Sequence, residues 1–174
     1  MTTVDPSPRP PAGPDLDAVF RRHADRMWSV ALRILGDPAE AEDAVQEAFL
    51  AALRSPGFRG DAAAGTWLHR ILVNGCLDRI RSAARRRGRA PVAFPAVAGP
   101  DPAARLPDRI AVQDALNDLP PDQRAAVVLV DVLACPVDEA AAILGVPAGT
   151  VKSRCARGRL RLTSLLGHLR EESR

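Results

Sequence analysis

Among the side chains able to make strong, directed contacts, arginine dominates: the 174-residue chain holds 23 Arg and a single Lys, Lys152. A guanidinium is permanently charged and presents a planar fork of donors that matches phosphates and guanine edges. The forks are clustered. Residues 78–89 carry six Arg against Asp78, a net +5, and residues 152–174 carry Lys152 and six Arg against Glu171 and Glu172, again a net +5. The whole chain is only +3, so the remainder is acidic at −7. Two basic islands in an otherwise acidic protein point to a polyanionic partner.

Other chemistry is hard to assemble. His23, His69 and His168 fall in separate segments, without the His/Cys/carboxylate spacing of a metal site. Gly57-Phe58-Arg59-Gly60 lacks the Lys-Ser/Thr that completes a phosphate loop. Cys76, Cys135 and Cys155 are too few and too scattered for a disulfide framework, and read as packing residues of a reducing compartment. No catalysis, cofactor, metal or small-molecule substrate is expected. No run approaches the length of a membrane-spanning helix, and the Pro-rich start has no apolar signal core, so a cytoplasmic protein without membrane insertion is expected.

The elements that must carry the arginines are helical, since no alternating pattern appears anywhere. Residues 1–14, with five Pro, read as a disordered leader, and the Pro/Ala-rich residues 89–107 as a flexible linker. Between and beyond them lie two small helical domains, 15–88 and 108–170, in an all-α fold. Apolar residues make up 47% of the chain but aromatics only 3%, so the cores must be built from Ala, Leu and Val.

In the first domain, Asp15 can cap a helix with Leu16, Val19, Phe20, Met27, Val30, Ala31, Ile34 and Leu35 inward, ended by Gly36. Asp37-Pro38-Ala39-Glu40 restarts the chain as a capping box with Pro at the first helical position. The helix that follows has apolar pairs 44/45, 48/49 and 52/53 and is acidic elsewhere. Residues 57–65 form a flexible loop. Thr66 then caps a third helix, with Trp67, Leu68, Ile71, Leu72, Cys76 and Ile80 inward and His69, Arg70, Asn74, Asp78, Arg81 and Arg85 outward.

In the second domain, a short helix precedes Pro120-Pro121, and an apolar helix follows over 125–133. Residues 137–160 then read as a helix-turn-helix: a short helix closed by Gly145, a turn at Pro147-Ala148-Gly149, and a basic helix displaying Lys152, Ser153, Arg154, Ala156, Arg157 and Arg159. Pro136 removes the hydroxyl cap that often opens such a unit. Taken singly, the other features are open. The arginines ending helix 66–88 either complement its dipole or track phosphates. The acidic helix is either a solvated face or a dock for a basic protein. A stand-alone helix-turn-helix regulator and a helical adaptor remain as alternatives at this point.

Ala41-Glu42-Asp43-Ala44-Val45-Gln46-Glu47-Ala48-Phe49-Leu50 resembles the core-polymerase-binding helix of region 2 in bacterial RNA polymerase sigma factors. Thr66-Trp67-Leu68-His69-Arg70-Ile71-Leu72-Val73-Asn74 through Arg81 is similar to the promoter-reading helix of the same region. Leu119-Pro120 with Arg124, then Glu139-Ala140-Ala141, Leu144-Gly145-Val146 and Gly149 to Arg154, resemble region 4. The order and the missing intervening regions resemble the extracytoplasmic-function (ECF) class, most closely its actinobacterial SigM-type subgroup. The resemblance covers about residues 15–169.

This resemblance implies a stress-responsive transcription initiation factor held by an anti-sigma factor. Asp43, Gln46 and Glu47 would dock on the β′ coiled coil of core RNA polymerase, and the second domain on its β flap. Phe58, Arg59, His69, Arg70, Asn74 and Arg81 would read the −10 element of promoter DNA, with a base flipped into loop 57–65. Lys152, Ser153, Arg154, Ala156, Arg157 and Arg159 would read the −35 element. The chain departs from the pattern in having no Tyr, with only Phe58 and Trp67 near the melted strand, which implies limited melting power.

Overall fold

The computed structural model describes residues 16–55, 64–87 and 106–167. The expected leader, most of the expected linker, Phe58, Arg59 and His168 lie outside them. Among the described residues the chain is helical, without strands.

The first domain is a three-helix unit. Helix α1 (Leu16–Leu35) buries Met27, Val30, Ala31, Ile34 and Leu35. It stops at Gly36, whose φ of +80° is the left-handed conformation that favours glycine. Asp37 then caps α2 (Pro38–Arg54), its Oδ1 accepting the Glu40 N–H at 2.9 Å. Only this half of the capping box forms, because the Glu40 carboxylate turns away to Arg79.

The buried stripe of α2 is Ala41, Ala44, Val45, Ala48 and Ala52, while Phe49 is half-buried and Leu53 exposed. It is thus rotated from the expected pairs toward the alanines. Small side chains let α2 lie close against both α1 and α3, and the larger residues fall to the rim. Helix α3 (Ala64–Arg87) buries Leu68, Leu72, Val73, Cys76, Leu77 and Ile80. It begins before Thr66, so Thr66 is not its cap, and its hydroxyl donates to Glu139 instead, at 2.8 Å.

The second domain starts with α4 (Leu106–Asn117), whose first turn takes Leu106 and Pro107 from the expected linker; a proline is tolerated there because the first helical N–H groups have no partner in any case. Helix α5 (Pro121–Val127) runs on into a π-helical turn, Val128–Val132. The wide turn ends at Ala134, held at φ +52°, where a side chain is disfavoured, and lets the Cys135 N–H reach the Leu129 carbonyl. Helix α6 (Val137–Leu144) and helix α7 (Ala148–Leu165) complete the fold.

The two domains pack on each other. Helix α3 lies against α6, α1 against α4 and the π-turn, and one continuous apolar cluster runs from Met27 and Leu68 to Leu129 and Ile143. At this junction Arg124 is buried at 4% exposure. Its guanidinium donates to the Ile34 carbonyl of α1 (2.6 Å) and to the Asn117 and Leu119 carbonyls after α4 (2.5 and 3.3 Å). It thereby satisfies carbonyls that the ends of two helices leave open. Burial lowers its pKa to about 10, against the pull of Asp118, so it stays charged at neutral pH. Gln113 and Asn117 are buried beside it, with Gln113 tied to both Arg33 and Asn117.

Candidate nucleic-acid interface

The helix-turn-helix forms on residues 137–165. Helix α6 starts at Pro136 without a side-chain cap and ends at Gly145 in the left-handed conformation, φ +64°. The Val146 N–H returns to the Ala141 carbonyl at 3.1 Å, closing the first helix. Pro147 then receives the Thr150 and Val151 N–H groups and starts α7. One narrow face of α7 is inward: Val151, Cys155 and Gly158. At Gly158 the approach to α5 is so close that an added Cβ would sit 2.6 Å from Val127 Cγ2.

The rest of α7 is free for a groove. Lys152, Ser153, Ala156, Arg157 and Arg159 are exposed, and Arg154 is half-buried. Their groups are already arranged. Ser153 Oγ donates to the Thr150 carbonyl (3.0 Å), and Arg157 folds back to donate to the Ser153 carbonyl (3.2 Å). Arg159 holds Asp131 with two donors, at 3.0 and 2.7 Å, and this pair raises its pKa. Arg154 donates to Asp122 at 3.1 Å. Exposed pairs of this kind are worth only about 0–1 kcal/mol, so an anion of higher charge density can displace them.

On α3, Arg70, Asn74 and Arg81 are exposed as expected, while His69 is not. It is buried at 5% exposure, with Nδ1 donating to the Gly65 carbonyl at 2.7 Å and Nε2 without a hydrogen-bond partner. Burial lowers its pKa; the Gly65 carbonyl and Glu139 oppose this, while Arg26 and His23 add to it. Residues of both α1 (His23, Arg26) and α6 (Glu139) act on its ring, and the helical period of α3 alone cannot register packing by elements distant in the chain. Arg81 reaches both Asp78 (3.3 Å) and Asp122 (3.2 Å).

On α2, Asp43, Gln46 and Glu47 are exposed at helical spacing and share one face. Glu47 is bound by Arg79 of α3 at 2.7 Å, and Arg79 also holds Glu40 at 2.6 Å. Burial acts to lower the Arg79 pKa, but the two carboxylates overcome it and raise the value.

Asp122, Asp131 and Glu139 carry much of this geometry; the sequence reading missed the first two and met Glu139 only as part of a motif, without its contact to Thr66. Their one sequence signal is that they are acids flanking the basic helix of the second domain. The thiols are inward. Burial pushes Cys76 up to about 12 and Cys135 up to about 11, so neither is a thiolate at neutral pH. Among the described residues no His, Cys, Asp or Glu side chains converge in threes as a metal site would need, and no helix is long and apolar enough to cross a membrane.

Comparison with known proteins places this geometry among relatives. The family model described as Sigma-70 region 2 matches residues 19–86, and that described as Sigma-70, region 4 matches residues 109–162. The chain is 47% identical over 156 residues to the ECF RNA polymerase sigma factor SigM of Mycobacterium tuberculosis, covering 88% of this chain and 78% of the relative. It is 40% identical over 164 residues to the ECF RNA polymerase sigma factor SigE of Mycolicibacterium smegmatis, covering 89% and 63%. Among solved structures it is similar to the sigma factor RpoE of Bartonella quintana in complex with the anti-sigma factor NepR, with a TM-score of 0.73 and 29% identity over 88% of this chain and 97% of that one. It is also similar to CnrH in complex with the cytosolic domain of CnrY, with a TM-score of 0.65 and 26% identity over 88% of each chain.

Proposed function

The chain belongs to the sigma-70 family, in its ECF class, and from that premise we propose how its surfaces divide the work of promoter-directed transcription initiation. The single observation that carries the proposal is the unlike pair of faces. An exposed basic face on α7 lies in one domain, and an exposed acidic face on α2 lies in the other. A protein that only bound DNA has no use for the second.

Asp43, Gln46 and Glu47 dock on the basic β′ coiled coil of core RNA polymerase. Glu47 does so in exchange for Arg79, and the second domain rests on the β flap. Lys152, Ser153, Arg154, Ala156, Arg157 and Arg159 read the −35 duplex in the major groove, the arginines supplying guanine and phosphate contacts. Phe58, Arg59, Arg70, Asn74 and Arg81 approach the −10 strand, joined by His69 once it is uncovered. The domains act as units 15–88 and 108–170, so that each weak contact raises the effective concentration of the other. The protein works in the cytoplasm as an initiation factor without catalysis of its own. An anti-sigma factor is its regulatory partner, a reading supported by the RpoE relative, which is described in such a complex.

The test is run-off transcription with purified core RNA polymerase on a randomised promoter library. The expected product is a set of transcripts whose templates share two elements. Transcription that is independent of the added chain overturns the proposal. So does tight, specific duplex binding by the chain alone.

A further inference from the structure

Arg159 of α7 is held differently from its neighbours on the helix. Arg157 bonds back to Ser153 of its own helix, and Arg154 reaches Asp122 through one nitrogen. Arg159 instead lies edge-on to a carboxylate of another element. Its Nε donates to Asp131 Oδ2 at 3.0 Å and its Nη2 to Oδ1 at 2.7 Å. Two parallel bonds fix the plane of a guanidinium as well as its place.

The backbone on both sides of this pair is fixed too. Asp131 belongs to the π-helical turn Val128–Val132, which starts on the buried Val128 and Leu129. The residue before that turn is Val127, and the residue before Arg159 is Gly158; these two make the close contact between α5 and α7. The Leu133 N–H closes the wide turn on the Val128 carbonyl at 2.9 Å, and the turn carries Asp131 out of the register that an unbroken α-helix would give it. Both side chains remain accessible, at 55% for Arg159 and 35% for Asp131.

The grip leaves part of the guanidinium free. The Nε hydrogen and one hydrogen of Nη2 go to Asp131, while Nη1 and the second hydrogen of Nη2 form an end-on fork without a partner among the described residues. Arg159 stands about three turns into α7, next to the inward residues Cys155 and Gly158. In a helix-turn-helix the N-terminal residues of this helix meet base edges, which leaves a residue this far along, on the flank, to the phosphates.

We propose that Asp131 is a positioning residue that makes Arg159 a register-dependent clamp for one phosphate of the −35 duplex. The inference rests on the −35 role proposed for α7. The carboxylate cancels the charge of Arg159 at long range, so duplex in a wrong register gains little from it. A phosphate brought to the end-on fork by correct docking meets two donors already aimed, with no side chain left to order. Asp131 thereby weakens general attraction to DNA and sharpens discrimination.

The test has two arms. In the first, the free chain is titrated with generic duplex over a salt series. Asp131→Asn should tighten this binding about threefold and steepen the slope of log affinity against log salt by about 0.9, the weight of one phosphate contact. Asp114→Asn removes the same charge at an exposed acid of α4 and should change the affinity less than about 1.5-fold. In an Arg159→Ala background, Asp131→Asn should do no more than this control. A tightening that persists without Arg159 overturns the proposal, because net charge alone would then explain it.

In the second arm, holoenzyme assembled with core polymerase is offered a promoter recovered from the library and the same duplex with its −35 element scrambled. Asp131→Asn should lower the ratio of the two affinities about fivefold. An unchanged ratio overturns the proposal. Arg159→Lys keeps the charge but loses the fork, and should lower the ratio in the same direction, so the question stands if Asp131→Asn does not fold. Arg159→Ala should weaken binding evenly across library promoters; a loss confined to promoters with guanine at one position overturns the phosphate assignment. Failure of the wild-type holoenzyme to prefer the matched element would remove the sigma reading, and the salt slope of the free chain would still decide whether Asp131 restrains Arg159.

Discussion

Helices α3 and α7 are both arginine-bearing and both assigned to promoter reading, yet their surroundings are opposite. Helix α7 is anchored by three small or medium residues, Val151, Cys155 and Gly158, and leaves most of its circumference to solvent. Helix α3 is packed from two directions, by α1 and α2 on one side and α6 on the other. The difference teaches that a reading helix can be presented by close approach along a narrow seam, or withheld by wide burial, with similar arginine content. Gly158 makes the first arrangement possible; Leu68, Leu72 and His69 make the second.

Four perturbations break or sharpen this contrast. The largest effect is expected at the centre of α3. Leu72→Ala removes a side chain at 1% exposure and should cost about 2–5 kcal/mol in denaturant unfolding, whereas Leu160→Ala on the exposed face of α7 should cost less than about 0.5 kcal/mol. Next comes the seam of α7. Gly158→Ala improves helix propensity but drives a methyl into Val127, and should destabilise by about 1–3 kcal/mol on the same assay. Gain of stability there would show that the seam is loose. Third, Arg154→Ala with Arg157→Ala should reduce −35-dependent run-off transcription at least tenfold, about 1.4 kcal/mol or more, with core-polymerase binding and the melting temperature little changed. Wild-type transcription by this variant would deny α7 its role.

The smallest effect is a pH dependence. The folded-state pKa of His69 is depressed, chiefly by burial, so the unfolded chain binds the proton more readily. Stability from this group is therefore complete above its ordinary value near 6.5 and falls as pH drops below it. Arg26 and His23 reinforce the depression and Glu139 opposes it. The melting temperature should decline on acidification from pH 7 to about 5, and His69→Gln should flatten that decline. An unchanged slope in the variant would assign the titration elsewhere, with His23, whose pKa is also lowered, the next group to replace.

Features carried by neighbouring residues were legible from the sequence. Asp37 and Pro38 start α2, and Gly145 ends α6, because caps and left-handed turns depend on a few consecutive positions. The absent cap at Pro136 was legible for the same reason. Periodicity found the inward stripe of α3 but could not register packing by elements distant in the chain, so His69 was placed outside. Arg124 entered only through a family resemblance, since its work is to join the ends of α1 and α4 across 90 residues of chain. Asp122 was not singled out in the sequence, because nothing local could tell that two distant arginines converge on it. The face 43/46/47 was visible as an acidic stripe, whereas the hold of Arg79 on Glu47 required the packing of α3 on α2.

The burial of all three cysteines gives the molecule a set of internal clocks. A thiol shut inside a helical core, and pushed toward its neutral form, is alkylated only in the moments when its surroundings open. Cys76 sits in the first domain, and Cys135 and Cys155 in the second, all native and all enclosed. Their separate labelling rates therefore time the breathing of each half of the chain, without any probe being added.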